Sequence, residues 1–120
     1  MGEIESISAV TLVTRNMPKA VKFYQTLGFV LRHGGEDASF TSFEIGSNYL
    51  NLVLHAALIN AQWGRVIFYV SDVDEYFASI VKRGLKPDFT PRNAEWGERY
   101  FHITDPDGHE LSFAKRLPIS

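Results

Sequence analysis

Residues 9–29 read AVTLVTRNMPKAVKFYQTLGF, and residues 65–85 read RVIFYVSDVDEYFASIVKRGL. The two stretches superpose without a gap at an offset of 56 residues, Ala9 falling on Arg65. Val10 meets Val66, Leu12 meets Phe68, Asn16 meets Asp72, Val21 meets Phe77 and Gly28 meets Gly84. Few letters agree, so what recurs is the chemistry of each position. A β-branched and aromatic run predicts a strand. A residue able to accept backbone N–H bonds follows it, Asn16 or Asp72, and then an apolar stripe at helical spacing. The stripe is Ala20, Phe23, Tyr24 and Leu27 in the first copy, and Val73, Tyr76, Phe77, Ile80 and Val81 in the second. A glycine closes each helix, because the left-handed cap costs glycine little.

Three further strands are predicted after each helix. In the first half they fall at about 29–33, 39–45 and 49–55, with Gly46, Ser47 and Asn48 turning the last hairpin. In the second half they fall at about 86–89, 99–104 and 110–114, with Asp105-Pro106-Asp107-Gly108 as a strong turn. The link between halves is residues 56–64. The expectation is one α+β domain over 1–120, built from two tandem βαβββ modules at about 5–56 and 64–116. Their mixed sheets would form a concave groove, with the helices outside.

Composition narrows the function. Twelve basic and fourteen acidic residues give a formal charge of −2 with no long block of either sign. That balance argues against nucleic-acid and membrane-surface partners, which call for a basic face. There is no cysteine, which removes disulfides, thiolate metal sites and thiol nucleophiles. The opening MGEIESIS is not a secretory leader, and no apolar run nears the roughly 20 residues of a membrane span. A cytoplasmic location is expected. No serine–histidine–aspartate arrangement and no glycine-rich phosphate loop stands out.

Phe23-Tyr24 with Leu27-Gly28-Phe29 resembles the "FY…LGF" signature of the glyoxalase/bleomycin-resistance/dioxygenase (vicinal-oxygen-chelate) superfamily. Trp96-Gly97-x-Arg99 followed by Asp105-Pro106-Asp107-Gly108 resembles its C-terminal signature, notably in bleomycin-resistance-like members. The likeness runs from Ile7 to Lys115. It implies a ligand groove and, in metal-dependent members, His, Gln or Glu ligands on the first and last strands of each module. The positions that correspond are Ala9, Asn51, Arg65 and Ser112. Alanine has no donor, arginine is a permanent cation, and asparagine and serine are weak neutral ligands. The resemblance therefore implies no metal at the usual place and no other cofactor.

Strand alternation, counted from those positions, assigns residues to the groove side. Thr11, Val13, Asn51, Val53 and His55 come from the first half. Arg65, Ile67, Tyr69, Tyr100, His102, Thr104, Glu110 and Ser112 come from the second. Arg65 is a candidate anchor for a carboxylate or phosphate, or else the partner of Glu110 in an internal salt bridge. His102 with Glu110 is a candidate general base oriented by a carboxylate, or a hydrogen-bonded cavity histidine. His55, His102 and Glu110 make the one conceivable relocated metal set. Trp63, Trp96, Tyr69, Tyr100 and Phe40 are candidate flat walls for an aromatic ligand, or packing residues. His33 and His109 are expected at a strand end and in a turn, both exposed and uninvolved. Arg99 is expected in a surface charge cluster with Glu95 and Glu98.

These readings favour a metal-independent, small-molecule-binding homodimer whose ligand is anionic or aromatic, sequestering it as in antibiotic resistance. The alternative is a lyase, isomerase or dioxygenase-type enzyme. It would be metal-free through His102 and Glu110, or hold a displaced metal.

Overall fold

The computed structural model describes residues 2–57 and 61–118. Residues 58–60 of the expected link lie outside the described residues. The chain divides into two compact units, Met1–Ile59 and Asn60–Ser120. Each is described by itself.

The first unit runs β1 (Ala9–Thr14), α1 (Met17–Thr26), β2 (Val30–His33), β3 (Phe40–Ile45) and β4 (Asn48–Leu54). Its sheet has the order β1-β4-β3-β2, with β1 parallel to β4 and the other pairs antiparallel. Asn16 caps α1 by accepting from the Lys19 amide at 3.1 Å. Gly28, at φ 100°, takes the chain out of the helix. Met17, Ala20, Val21 and Tyr24 turn inward onto Leu12, Phe43, Leu50 and Leu52, all buried. Tyr24 sits 5.8 Å from Phe43 and 5.4 Å from Phe29, ring centre to ring centre. Phe23, placed in the stripe from sequence, is half-buried.

The second unit repeats the plan: β5 (Arg65–Tyr69), α2 (Val73–Lys82), β6 (Arg92–Asn93), β7 (Glu98–Thr104) and β8 (Glu110–Arg116). Its sheet has the order β5-β8-β7-β6, again with the first pair parallel. Asp72 caps α2 by accepting from the Glu75 amide at 3.0 Å. Gly84 closes it at φ 96°. Val73 and Ile80 are buried under α2, whereas Val81 is exposed, so the inward stripe is narrower than its spacing suggests. Tyr76, Phe77, Phe101 and Phe113 form one aromatic cluster, with Tyr76 and Phe113 4.9 Å apart.

One strand is not where the sequence puts it. No strand occupies 86–89; the short β6 lies at Arg92–Asn93 instead. Pro87 lies inside the expected stretch and Pro91 two residues beyond it, and neither has an N–H to give to a ladder. The segment holds β7 by the Asp88 amide donating to the His102 carbonyl at 2.8 Å. A regular ladder begins once the prolines are past, with Arg92 opposite Tyr100.

Phe113 is 1% exposed and touches Phe68, Tyr76 and Phe101. Phe113→Ala should lower unfolding free energy by about 3–5 kcal/mol, read from urea denaturation, as large-to-small core changes do.

Candidate functional site

In the second sheet α2 covers the face carrying Leu111, Phe113, Phe101 and Ile103, all buried. The opposite face takes the alternate residues. Along β8 these are Glu110, Ser112 and Ala114. The register sets Arg65 and Thr104 beside Glu110, Ile67 and His102 beside Ser112, and Tyr69 and Tyr100 beside Ala114. Small residues on the middle strand between large ones on both sides make a trough. Ser112 and Ala114 are its floor, Ile67 and Tyr69 one wall, His102 and Tyr100 the other. The face assignment made for this half from alternation therefore holds.

At one end, Arg65 Nε lies 2.5 Å and His102 Nδ1 3.2 Å from the same oxygen, Glu110 Oε1. That oxygen is buried, yet neither nitrogen meets it at a hydrogen-bonding angle. The contacts are thus ion-pair and dipolar rather than directed hydrogen bonds. The Arg65 and Glu110 side chains remain 48% and 36% exposed, so solvent screens the pair to no more than about 1 kcal/mol of stability. The internal salt bridge is present, and the guanidinium still keeps its two Nη groups open. Burial lowers the His102 pKa, and the Arg65 cation lowers it further, against opposing pulls from Glu110 and Asp88. His102 is therefore neutral at pH 7.

At the other end, Glu98 accepts from the Tyr69 hydroxyl and, at 2.9 Å, from the Trp96 indole. Those two bonds hold its carboxyl below the usual range, and the same contact raises the Tyr69 hydroxyl. Trp96 is fixed over Tyr100 with ring centres 5.4 Å apart, although 68% of it is exposed. Arg92 stacks on Phe89 at 3.8 Å and donates to the Tyr100 hydroxyl at 3.2 Å. Phe89 in turn lies 5.0 Å from His102.

Sequence reasoning missed Glu98, Arg92 and Asp88, and two assignments are corrected. Arg99 does not belong with Glu98. It points to the helix side, where both Asp74 oxygens accept from its guanidinium at 2.8 Å. His109 is not an exposed turn residue: it is 2% exposed, and its Nδ1 accepts from the Trp63 indole at 2.9 Å. The buried Asp105 side chain takes the His109 amide at 2.8 Å, which turns that ring inward. Trp63 is thereby tied to the β7–β8 turn rather than to the trough. His33 lies exposed at the end of β2.

In the first unit Asn51 donates to Thr11 at 3.3 Å, and His55, just past β4, accepts from the Ala57 amide at 3.1 Å. Phe40 is partly exposed opposite Val53. Ala9 pairs with Tyr49 in the ladder, Arg65 is engaged with Glu110, and Ser112 is neutral. Among the described residues no group of three His, Cys, Asp or Glu side chains could hold a metal ion. The four ligand-equivalent positions do not fit a divalent metal. No described helix is long and apolar enough to cross a membrane.

A sequence model of the Glyoxalase/Bleomycin resistance protein/Dioxygenase superfamily matches residues 6–113. The chain belongs to that superfamily. A search among curated proteins finds no match. Solved structures share the fold. A bleomycin-binding protein complexed with bleomycin is similar at 23% identity and TM-score 0.76, over 94% of this chain and 99% of that one. A lactoylglutathione lyase from Agrobacterium tumefaciens is similar at 18% identity and TM-score 0.77, over 93% and 94%. A glyoxalase/bleomycin resistance protein/dioxygenase from Nocardioides is similar at 24% identity and TM-score 0.76, over 100% and 89%.

The charge arrangement makes a prediction about His102. Since its folded pKa is lowered from 6.5, the unfolded chain takes up the proton first. Stability is then full above about pH 6.5 and falls as pH drops toward the folded value. In histidine NMR titrations Arg65→Ala should move the His102 midpoint up, and Glu110→Gln should move it down.

Proposed function

We propose that the second unit's trough is a metal-independent small-molecule site and that the protein sequesters its ligand, as in antibiotic resistance. The observation that carries this reading is the pairing of an open guanidinium edge at one end with pinned aromatic surface at the other. Arg65 offers two Nη groups to an anion, and Tyr100 and Trp96 offer flat walls to an apolar or aromatic body. The bleomycin-binding protein that shares the fold supports binding as a function this architecture can perform. A homodimer belongs to the same reading, supported by exposed apolar side chains such as Ile4, Ile7 and Trp63.

A second reading rests on the Glu110 oxygen 3.2 Å from His102 Nδ1. A carboxylate there raises the basicity of a neutral imidazole acting as general base, which is the chemistry of a metal-free lyase or isomerase. Binding and turnover separate the two: His102→Ala that keeps affinity but abolishes turnover favours the enzyme.

Arg65→Ala should weaken an anionic aromatic ligand strongly, by about 2–5 kcal/mol if the partner charge stays buried. Arg65→Lys should restore part of the loss, since lysine lacks the planar fork. Calorimetric titration beside thermal melts checks this, and unchanged affinity in a folded Arg65→Ala protein defeats it. Protein purified without added ions should contain well under one equivalent of metal by elemental analysis. Light scattering should give a dimer mass at micromolar concentration.

A further inference from the structure

The polar groups along the trough differ in what they can accept and donate. Ser112 is 3% exposed and its hydroxyl makes no hydrogen bond to another described residue. Arg65 reaches Glu110 through Nε and leaves both Nη groups as unused donors. His102 is different, because Glu110 biases its tautomer. Nδ1 lies 3.2 Å from a carboxylate oxygen, off the angle of a directed hydrogen bond, and that negative charge favours the neutral form with the proton on Nδ1. A neutral imidazole protonated there has its lone pair on Nε2. Burial and the neighbouring guanidinium keep the ring neutral at pH 7. Donors at Arg65 and Ser112 thus stand beside an acceptor at His102.

We infer that the site selects an anion that carries a hydrogen-bond donor, a hydroxyl or an amide N–H, next to its carboxylate. The carboxylate rests on the Arg65 Nη groups and the Ser112 hydroxyl, and the donor points to His102 Nε2. Arg65 and His102 flank β8 on its two neighbours, one row on the same face apart, so their backbones stand about 12 Å apart at ladder spacing, which suits a small acid and its two hydrogen bonds. A ligand without the donor buries the Nε2 lone pair unpaired, and that penalty is what discriminates. His102 is then a specificity residue of the proposed site. The inference rests on the anion-binding reading above and adds the chemical class of the ligand.

The test compares 3-phenyllactate with 3-phenylpropionate, two aryl acids that differ by one hydroxyl, titrated calorimetrically into the full chain at pH 7.5. Phenyllactate should bind about three- to tenfold tighter, the worth of one net hydrogen bond. His102→Phe keeps a flat ring against Phe89 and Tyr100 and should abolish the preference while phenylpropionate still binds. The unaltered protein gives a second readout that needs no variant. As pH falls through the His102 titration the preference should shrink toward one, without loss of phenylpropionate binding. The groups that face the ring and set this titration are Arg65 on β5, Glu110 on β8, Asp88, Arg92 on β6 and Tyr100 on β7. Equal affinities for the two acids, with binding that Arg65→Ala weakens, would overturn the donor requirement alone. A preference that survives His102→Phe would overturn it too. If neither acid binds, or Arg65→Ala leaves both unaffected, the anion reading itself fails and the donor requirement with it.

Discussion

A slip of one residue between β8 and its neighbours would turn Glu110 and Ser112 toward α2 and bring Leu111 and Phe113 to the open face. The second unit depends on that register. It is held by the aromatic cluster on the covered face, where Phe113 stacks on Phe68 and Phe101 with centroids 5.2 and 5.6 Å away. A slip of one would take those rings out from under α2. Packing on one side of the sheet therefore decides which polar groups stand together on the other. The Arg65, His102 and Glu110 cluster has a hydrophobic cause, and its own electrostatics supply little of the stability that keeps it in place. The pair is too exposed for that.

The same logic explains how much was legible in the residues. Core-forming segments declare themselves, because a helix cap, an apolar period and a glycine stop coincide in both copies. Alternation then reaches the open face with no further information, which is why Arg65, His102, Glu110 and Ser112 were assigned together. Glu98 was lost by a boundary of one residue. With β7 begun at Arg99, the glutamate fell into the loop and was grouped with Glu95 and Arg99. In the strand it shares a face with Tyr100, while Arg99 faces the helix. Arg92 was lost because Phe89 and its neighbours look like a strand by type, and propensity carries no account of the donors that prolines remove. His109 follows an aspartate–proline–aspartate–glycine turn, a context that predicts exposure. The Trp63 indole that buries it comes from 46 residues earlier in the chain, and no local pattern reports such a contact.

Some features of the site work against stability, and that is informative. A carboxylate oxygen is buried without a well-aligned donor, and a histidine is pushed away from its charged form. Each costs free energy that an apolar residue at the same position would not. Two such groups meet within two adjacent rows of one ladder, while the rest of the sheet is conventionally packed. Concentrated local cost in a well-packed domain is the pattern expected where a ligand completes the hydrogen bonds.

The two units bring this out when their open faces are set side by side by register. In the first, Thr11, Asn51 and Ser42 share one row, and Asn51 already donates to Thr11. The row is small, neutral and partly self-satisfied. In the second, the equivalent row of Ile67, Ser112 and His102 has an unpaired hydroxyl and an open imidazole nitrogen, and the next row adds Arg65 and Glu110. A duplicated architecture has kept its cores alike and let its faces diverge. Core positions are tied to α1 or α2 through packing and cannot change one at a time without strain. Open-face positions have no such tie, so chemistry can be altered there without altering the fold. Ala9 and Arg65, equivalent in sequence and opposite in character, show that divergence at a single pair of positions.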